Sequence, residues 1–155
     1  MPDLPAPPLP FDDARARRTL EALAEQGFTP PDPAAAALLR GAFGNSPYLA
    51  RLALRVPETL DGFFATGPET VLDSAAMMAL AVARLTDEAG AMAELRRAKQ
   101  RAALAIALAD IAGAWDLGAV TAGLSRFADA AVKGGLRFLL AQAAARAGLE
   151  ERDPA

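Results

Sequence analysis

The chain has 155 residues, enough for one domain that buries about 68–70% of the surface its unfolded form exposes. Sixteen basic against 19 acidic residues leave a net charge of -3, and with no basic stripe this argues against a nucleic-acid module. Without Cys or His there is no disulfide framework, no Cys or His nucleophile or base, and no zinc site of the usual kind.

Apolar residues make up 53% of the sequence and aromatics only 6%, with Ala supplying about half of the apolar set. Ala has the best helix propensity, loses no rotamer freedom on folding and lets helix backbones approach closely. The expected fold is all-α, an irregular bundle of about six helices, with short N-terminal ones followed by longer packed ones.

Residues 1–10 carry five prolines and are expected to form a disordered, extended tail. They contain neither a basic n-region nor an apolar h-region, so no signal peptide is visible. Phe11-Asp12-Asp13 opens the first helix, with an Asp cap and Phe11 placed to pack back as a staple; Gly27 ends it. Asp32-Pro33 opens a second helix that runs to Ala42 or Phe43, and Ser46-Pro47 opens a third over Tyr48–Val56. Pro57 closes that helix and begins the next, which contains Leu60, Phe63 and Phe64. Beyond the break at Gly67-Pro68, a helix is expected over roughly 70–85, then a long one from Glu88 to about Ala112 capped by Asp87. Asp116 caps the last, ending near Gly148, and 149–155 read as a frayed tail or a linker. The whole of 11–148 reads as a single helical domain, with no solenoid repeat and no alternating strand pattern.

The longest apolar run, Ala102–Ala109, has about eight residues against the roughly 20 of a membrane span, so a soluble cytoplasmic protein is expected. Within the long helix, Arg96, Arg97, Lys99 and Arg101 spread over one polar side, either as a solvated face or as an anion or partner site. From Ala102 onward the helix is apolar all round, the mark of a helix enclosed by others. Asp110 interrupts that run. A buried carboxylate is normally paired, so Asp110 is expected to meet an Arg of a neighbouring helix or to cap a broken helix nearby, and Asp110→Ala to cost about 3–5 kcal/mol if it breaks a buried ion pair. In the last helix Arg126, Asp129, Lys133 and Arg137 form an exposed stripe, with Asp129 and Lys133 in the favoured i,i+4 order. Leu117, Val120, Leu124, Phe127, Ala131, Phe138 and Ala141 form the expected core stripe opposite. Gly134-Gly135 inside this helix points to a close helix crossing. Trp115 and the Met77-Met78 pair read as core filling.

The order Leu95-Arg96-Arg97-Ala98-Lys99, the apolar helix broken by Asp110, the turn at Gly113–Asp116 and then Leu124-Ser125-Arg126-Phe127-Ala128-Asp129 resembles a known family. It is similar to the bifunctional glutamine synthetase adenylyltransferase/adenylyl-removing enzymes, at the helices just before their first nucleotidyltransferase core. Gly44-Asn45-Ser46-Pro47-Tyr48 and Arg55-Val56-Pro57 extend the resemblance, which covers about residues 40–148. The resemblance implies a parent enzyme that transfers AMP from ATP to glutamine synthetase and removes it by phosphorolysis, with Mg²⁺ and ATP as cofactors. It also implies as partners the nucleotidyltransferase core of the same polypeptide, glutamine synthetase and the PII signalling protein. The Gly-rich strand and paired aspartates of that core have no counterpart here, so no catalytic, cofactor-binding or metal-binding residue is assigned, and no membrane or nucleic-acid partner. The chain is expected to be a non-catalytic N-terminal helical subdomain supporting the core or partner docking. The alternative is a free-standing helical interaction module without enzymatic activity. A small-ligand site between helices is a third reading, which a pocket lined by convergent polar groups would favour.

Overall fold

The computed structural model describes residues 7–147. Among the described residues seven α-helices follow one another, one more than the expected six or so: α1 (Asp13–Glu25), α2 (Pro33–Asn45), α3 (Pro47–Arg55), α4 (Glu58–Thr66), α5 (Pro68–Ala81), α6 (Glu88–Ile111) and α7 (Leu117–Arg146). A 3₁₀ turn, Val82–Arg84, prolongs α5, and there is no strand among the described residues. Residues 1–6 of the expected N-terminal tail and the proposed tail or linker over 149–155 lie outside the described residues.

The helix starts are set by local chemistry that the sequence displays. The carboxylates of Asp12, Asp32, Asp87 and Asp116 and the hydroxyl of Ser46 accept hydrogen bonds from the backbone N–H three residues on, at 2.7–3.2 Å. Each satisfies one of the N–H groups that a helix start leaves without a partner. Gly27, Gly67 and Gly113 take positive φ and end α1, α4 and the turn after α6, a conformation that costs other residues a Cβ clash.

The helices form two packed groups joined by α6. In the first, α2, α3 and α4 pack on the C-terminal half of α6 and α1 packs on α2 and α3, and Leu23, Leu39, Phe43, Leu52, Leu60, Leu104 and Leu108 are fully or almost fully buried in one core. In the second, α5, α6 and α7 lie together along three small seams. These are Leu72, Ala75, Ala102 and Ile106; then Ala79, Ala98 and Ala130; then Val82, Ala91 and Phe138. Because α6 is shared, its second half has neighbours on nearly every side, which explains its all-round apolar sequence.

The face that α7 turns inward keeps part of the expected stripe, with Val120, Phe127, Ala131 and Phe138 packed against the core, but is rotated toward the small residues. Gly123, Ala130, Gly134 and Phe138 are buried, while Leu117, Leu124 and Ala141 are exposed. The small residues set this phase. A Cβ on Gly134 would overlap the Ala79 carbonyl of α5, so the two backbones meet there and bulky residues are turned away. A Cβ on Gly135 would find only Leu95 Cδ1, at 4.0 Å, so the crossing belongs to Gly134 alone.

Two smaller expectations also fail. Phe11 is exposed and is no staple. Met77 is exposed as well, since its turn of α5 points away from both α6 and α7; Met78 beside it is half-buried. Pro7–Pro10, at the end of the proline-rich segment, lie against α2, where Gly41 and Gly44 leave no room for a Cβ beneath Pro8 and Pro10. Asn45 holds this strap: its side-chain amide donates to Leu9 O and Gly41 O, both at 2.9 Å, and its Oδ1 accepts from Phe11 N at 3.1 Å.

Candidate functional site

Asp110 does not form the buried ion pair expected of it. It lies in the last turn of α6, is exposed, and takes part in no ion pair among the described residues. Ala109 before it is buried and Ile111 and Ala112 after it still pack against the core, so Asp110 is exposed because it falls on the less covered side of α6, in helical phase with the half-buried Ala103 and Ala107. The expected cost of removing this carboxylate falls with the pair.

The four cations of α6 separate into different environments. Arg97 reaches α4 and donates to Glu58 Oε1 at 2.8 Å. Partial burial pushes the Glu58 carboxyl upward, but the Arg97 hydrogen bond, a backbone N–H and the positive charges of Arg97 and Arg101 outweigh it, and its pKa is lowered. The same hydrogen bond and charge raise the pKa of Arg97. Arg101 is half-buried against α5, where its guanidinium contacts Met78 Sδ at 3.4 Å and its Nε has no partner. Arg96 and Lys99 point elsewhere, toward Arg51 and Arg55 of α3. Together with Tyr48, Leu52 and Gln100 these four cations line a concavity of about 200 Å³. Sequence reasoning missed the α3 half. Tyr48, Arg51, Leu52 and Arg55 do share one helix face, but nothing in the sequence places that face beside α6.

On α7, Arg126 joins Glu69 and Asp73 of α5 at 3.2 and 3.1 Å, so the expected exposed stripe includes one interhelical clamp. Asp129 is exposed, and no ion pair between Asp129 and Lys133 forms among the described residues. The more informative side of α7 carries Leu117, Leu124, Val132, Leu136, Leu139 and Leu140, each between 52 and 78% exposed. At 100° per residue they fall on one broad flank, which Thr121, Ser125 and Asp129 share in its first half. Monomers rarely leave so many large apolar side chains uncovered together.

The acidic groups among the described residues are spread over separate ion pairs and helix caps. Asp13 is held by Arg40 at 2.6 Å and Arg17 at 3.5 Å, and the Arg40 hydrogen bond keeps its pKa below the usual value. Asp12 caps α1, and no three carboxylates converge on one point among the described residues. The donor set therefore does not fit Mg²⁺ held against phosphates. A second cavity, about 390 Å³, lies between α2, α4 and the end of α6; its lining includes Leu38, Phe63, Phe64 and Ala112. Its one ionisable lining group, Asp32, is already used as the α2 cap, so the convergent polar groups of a ligand site are missing. No described helix is long and apolar enough to cross a membrane.

Fold and surface thus define an all-helical, Ala-packed segment with one long apolar flank uncovered. The chain belongs to the glutamate-ammonia ligase adenylyltransferase family, whose profile matches residues 36–154. It is similar to the bifunctional glutamine synthetase adenylyltransferase/adenylyl-removing enzyme of Bradyrhizobium sp. (strain ORS 278), with 43% identity over 122 residues. The proteins of the same name from Xanthobacter autotrophicus (strain ATCC BAA-1158 / Py2) and Rhodopseudomonas palustris (strain HaA2) are 39 and 44% identical over 135 and 113 residues. These alignments cover 78, 87 and 70% of this chain but only 12, 14 and 11% of the three relatives. It therefore corresponds to a part of such an enzyme. No solved structure matches.

Proposed function

We propose that this chain is the N-terminal helical subdomain of an adenylyltransferase/adenylyl-removing enzyme, and that the exposed flank of α7 seats the nucleotidyltransferase core of the same polypeptide. The uncovered apolar flank carries this reading. Its relatives extend over several times the length of this chain, which supplies material to cover it. Burying a half-exposed Leu contributes a share of the roughly 1.5–3 kcal/mol gained by burying the whole side chain, so several together suffice for stable docking.

In this reading the segment is not itself catalytic. AMP transfer to glutamine synthetase, its removal, and the Mg²⁺ and ATP they require belong to the core, in the cytoplasm. Glutamine synthetase and the PII protein are partners of the assembled enzyme. The segment's contribution is mechanical: α6 ties α1–α4 to α5 and α7, so α7 presents its flank from a braced support. Leu136→Glu with Leu140→Glu tests this in the full-length enzyme. Both side chains are more than half exposed, so the isolated segment should melt as before, while the intact enzyme should lose AMP transfer. Full activity with both charges in place would refute the docking role.

A further inference from the structure

The concavity between α3 and α6 is a gathering of like charge that the fold does not neutralise. Arg51 and Arg55 stand one turn apart on α3, Arg96 and Lys99 face them from α6, and none of the four joins an ion pair among the described residues. Arg97 and Arg126 each meet a carboxylate, Glu58 for the first and Glu69 and Asp73 for the second. What sets the groove cations apart is that four of them line one concavity with no acidic side chain in its lining. Arg96 spends its Nε on Met92 O of its own helix, which leaves its terminal nitrogens directed outward. Like charges at i,i+4 oppose each other, so Arg51 and Arg55 together destabilise α3 unless a counter-anion is present. Tyr48 and Gln100 add a hydroxyl and an amide at the rim, and Leu52 forms an apolar floor.

We infer that this concavity binds a small multivalent oxyanion of the diphosphate class. Arg presents a planar fork of donors that matches phosphate oxygens two at a time, and Lys adds a point charge. Three guanidiniums and one ammonium exceed what a single phosphate needs and match two linked ones. The size agrees: about 200 Å³ is below the roughly 300–1,000 Å³ of sites that enclose a drug-sized ligand. The occupant is thus a free diphosphate, or the diphosphate end of a larger molecule whose remainder stays outside, beside the half-exposed Tyr48 ring. The site lies away from the α7 flank and does not depend on how that flank is covered.

Calorimetric titration of the chain with sodium diphosphate, without divalent metal, tests the inference. Adenosine diphosphate and a poly-glutamate peptide serve as parallel titrants. Saturable diphosphate binding at one site is expected, weakened at least tenfold by Arg51→Gln with Arg55→Gln and by Lys99→Gln, and unchanged by Arg137→Gln on α7. Equal affinity for adenosine diphosphate supports recognition of the diphosphate alone, and tighter binding supports a nucleoside resting on Tyr48. Absence of saturable binding, or binding that the groove variants leave intact, overturns the site. Binding of the acidic peptide without diphosphate overturns it in favour of a protein partner. The substituted side chains are exposed, and unchanged melting of each variant verifies that loss of binding is not loss of fold.

Discussion

Adjacent glycines in one helix provide an internal test of the packing, because Gly→Ala should act in opposite directions at the two positions. At Gly135 a new Cβ meets only Leu95 Cδ1 at 4.0 Å, an ordinary contact. Gly135→Ala then gains the helix-propensity difference of about 0.8–1.0 kcal/mol. For a domain of this size each kcal/mol moves the midpoint by about 2–4 °C, so its Tm should rise by about that much. At Gly134 the new Cβ overlaps the Ala79 carbonyl, which belongs to the α5 backbone and cannot rotate away like a side chain. Overpacking of this kind costs typically about 1–3 kcal/mol, and a rigid obstacle places Gly134→Ala near the upper end. Set against the same propensity gain, the net loss is about 2 kcal/mol, a fall of about 4–8 °C. Thermal unfolding followed by circular dichroism reads both variants against the parent. If Gly134→Ala melts at or above the parent, α7 does not cross α5 at this residue and the account of its inward face is wrong.

Two further outcomes follow from the charges. Asp110→Ala should change stability by no more than about 0.5 kcal/mol in chemical denaturation, as for other exposed sites, and a loss near 3 kcal/mol would restore the buried pair. The acid limb of stability should reflect Asp13 and Glu58, whose folded pKa values are lowered. Groups shifted this way contribute fully above their unfolded pKa, about 3.9–4.3, and lose that contribution as pH falls through the folded value. With no His or Cys in the chain, Tm should be nearly flat between about pH 6 and 8 and decline below about pH 4. A Tm that rises on acidification below pH 4 would contradict the two ion pairs.

What the sequence made legible was local. Each cap at Asp12, Asp32, Ser46, Asp87 and Asp116 is a short-range device, complete within four residues, and all five helix starts follow from them. The family order around Arg96 and Arg126 was equally readable. Which face of α7 turns inward was not, because its apolar residues cover more than one side and the choice falls to the smallest side chains at the α5 crossing. Large apolar residues at helical spacing read as core, yet Leu117 and Leu124 are exposed on the outer flank. Asp110 misled for a related reason: a continuous apolar run does not reveal which side of the helix its neighbours leave open. The basic concavity needed α3 and α6 side by side, a long-range fact that neither segment encodes alone.

The central claim, that the α7 flank is covered in the intact enzyme, is tested most directly by solvent access at Leu136. Because this chain lacks cysteine, Leu136→Cys introduces a single thiol, which can be alkylated and located by peptide mass spectrometry. It should react at nearly the rate of a free thiol in the isolated segment and at least tenfold more slowly in the full-length polypeptide. Equal rates in the two contexts would mean that nothing docks on α7, and the proposed role would fall with it.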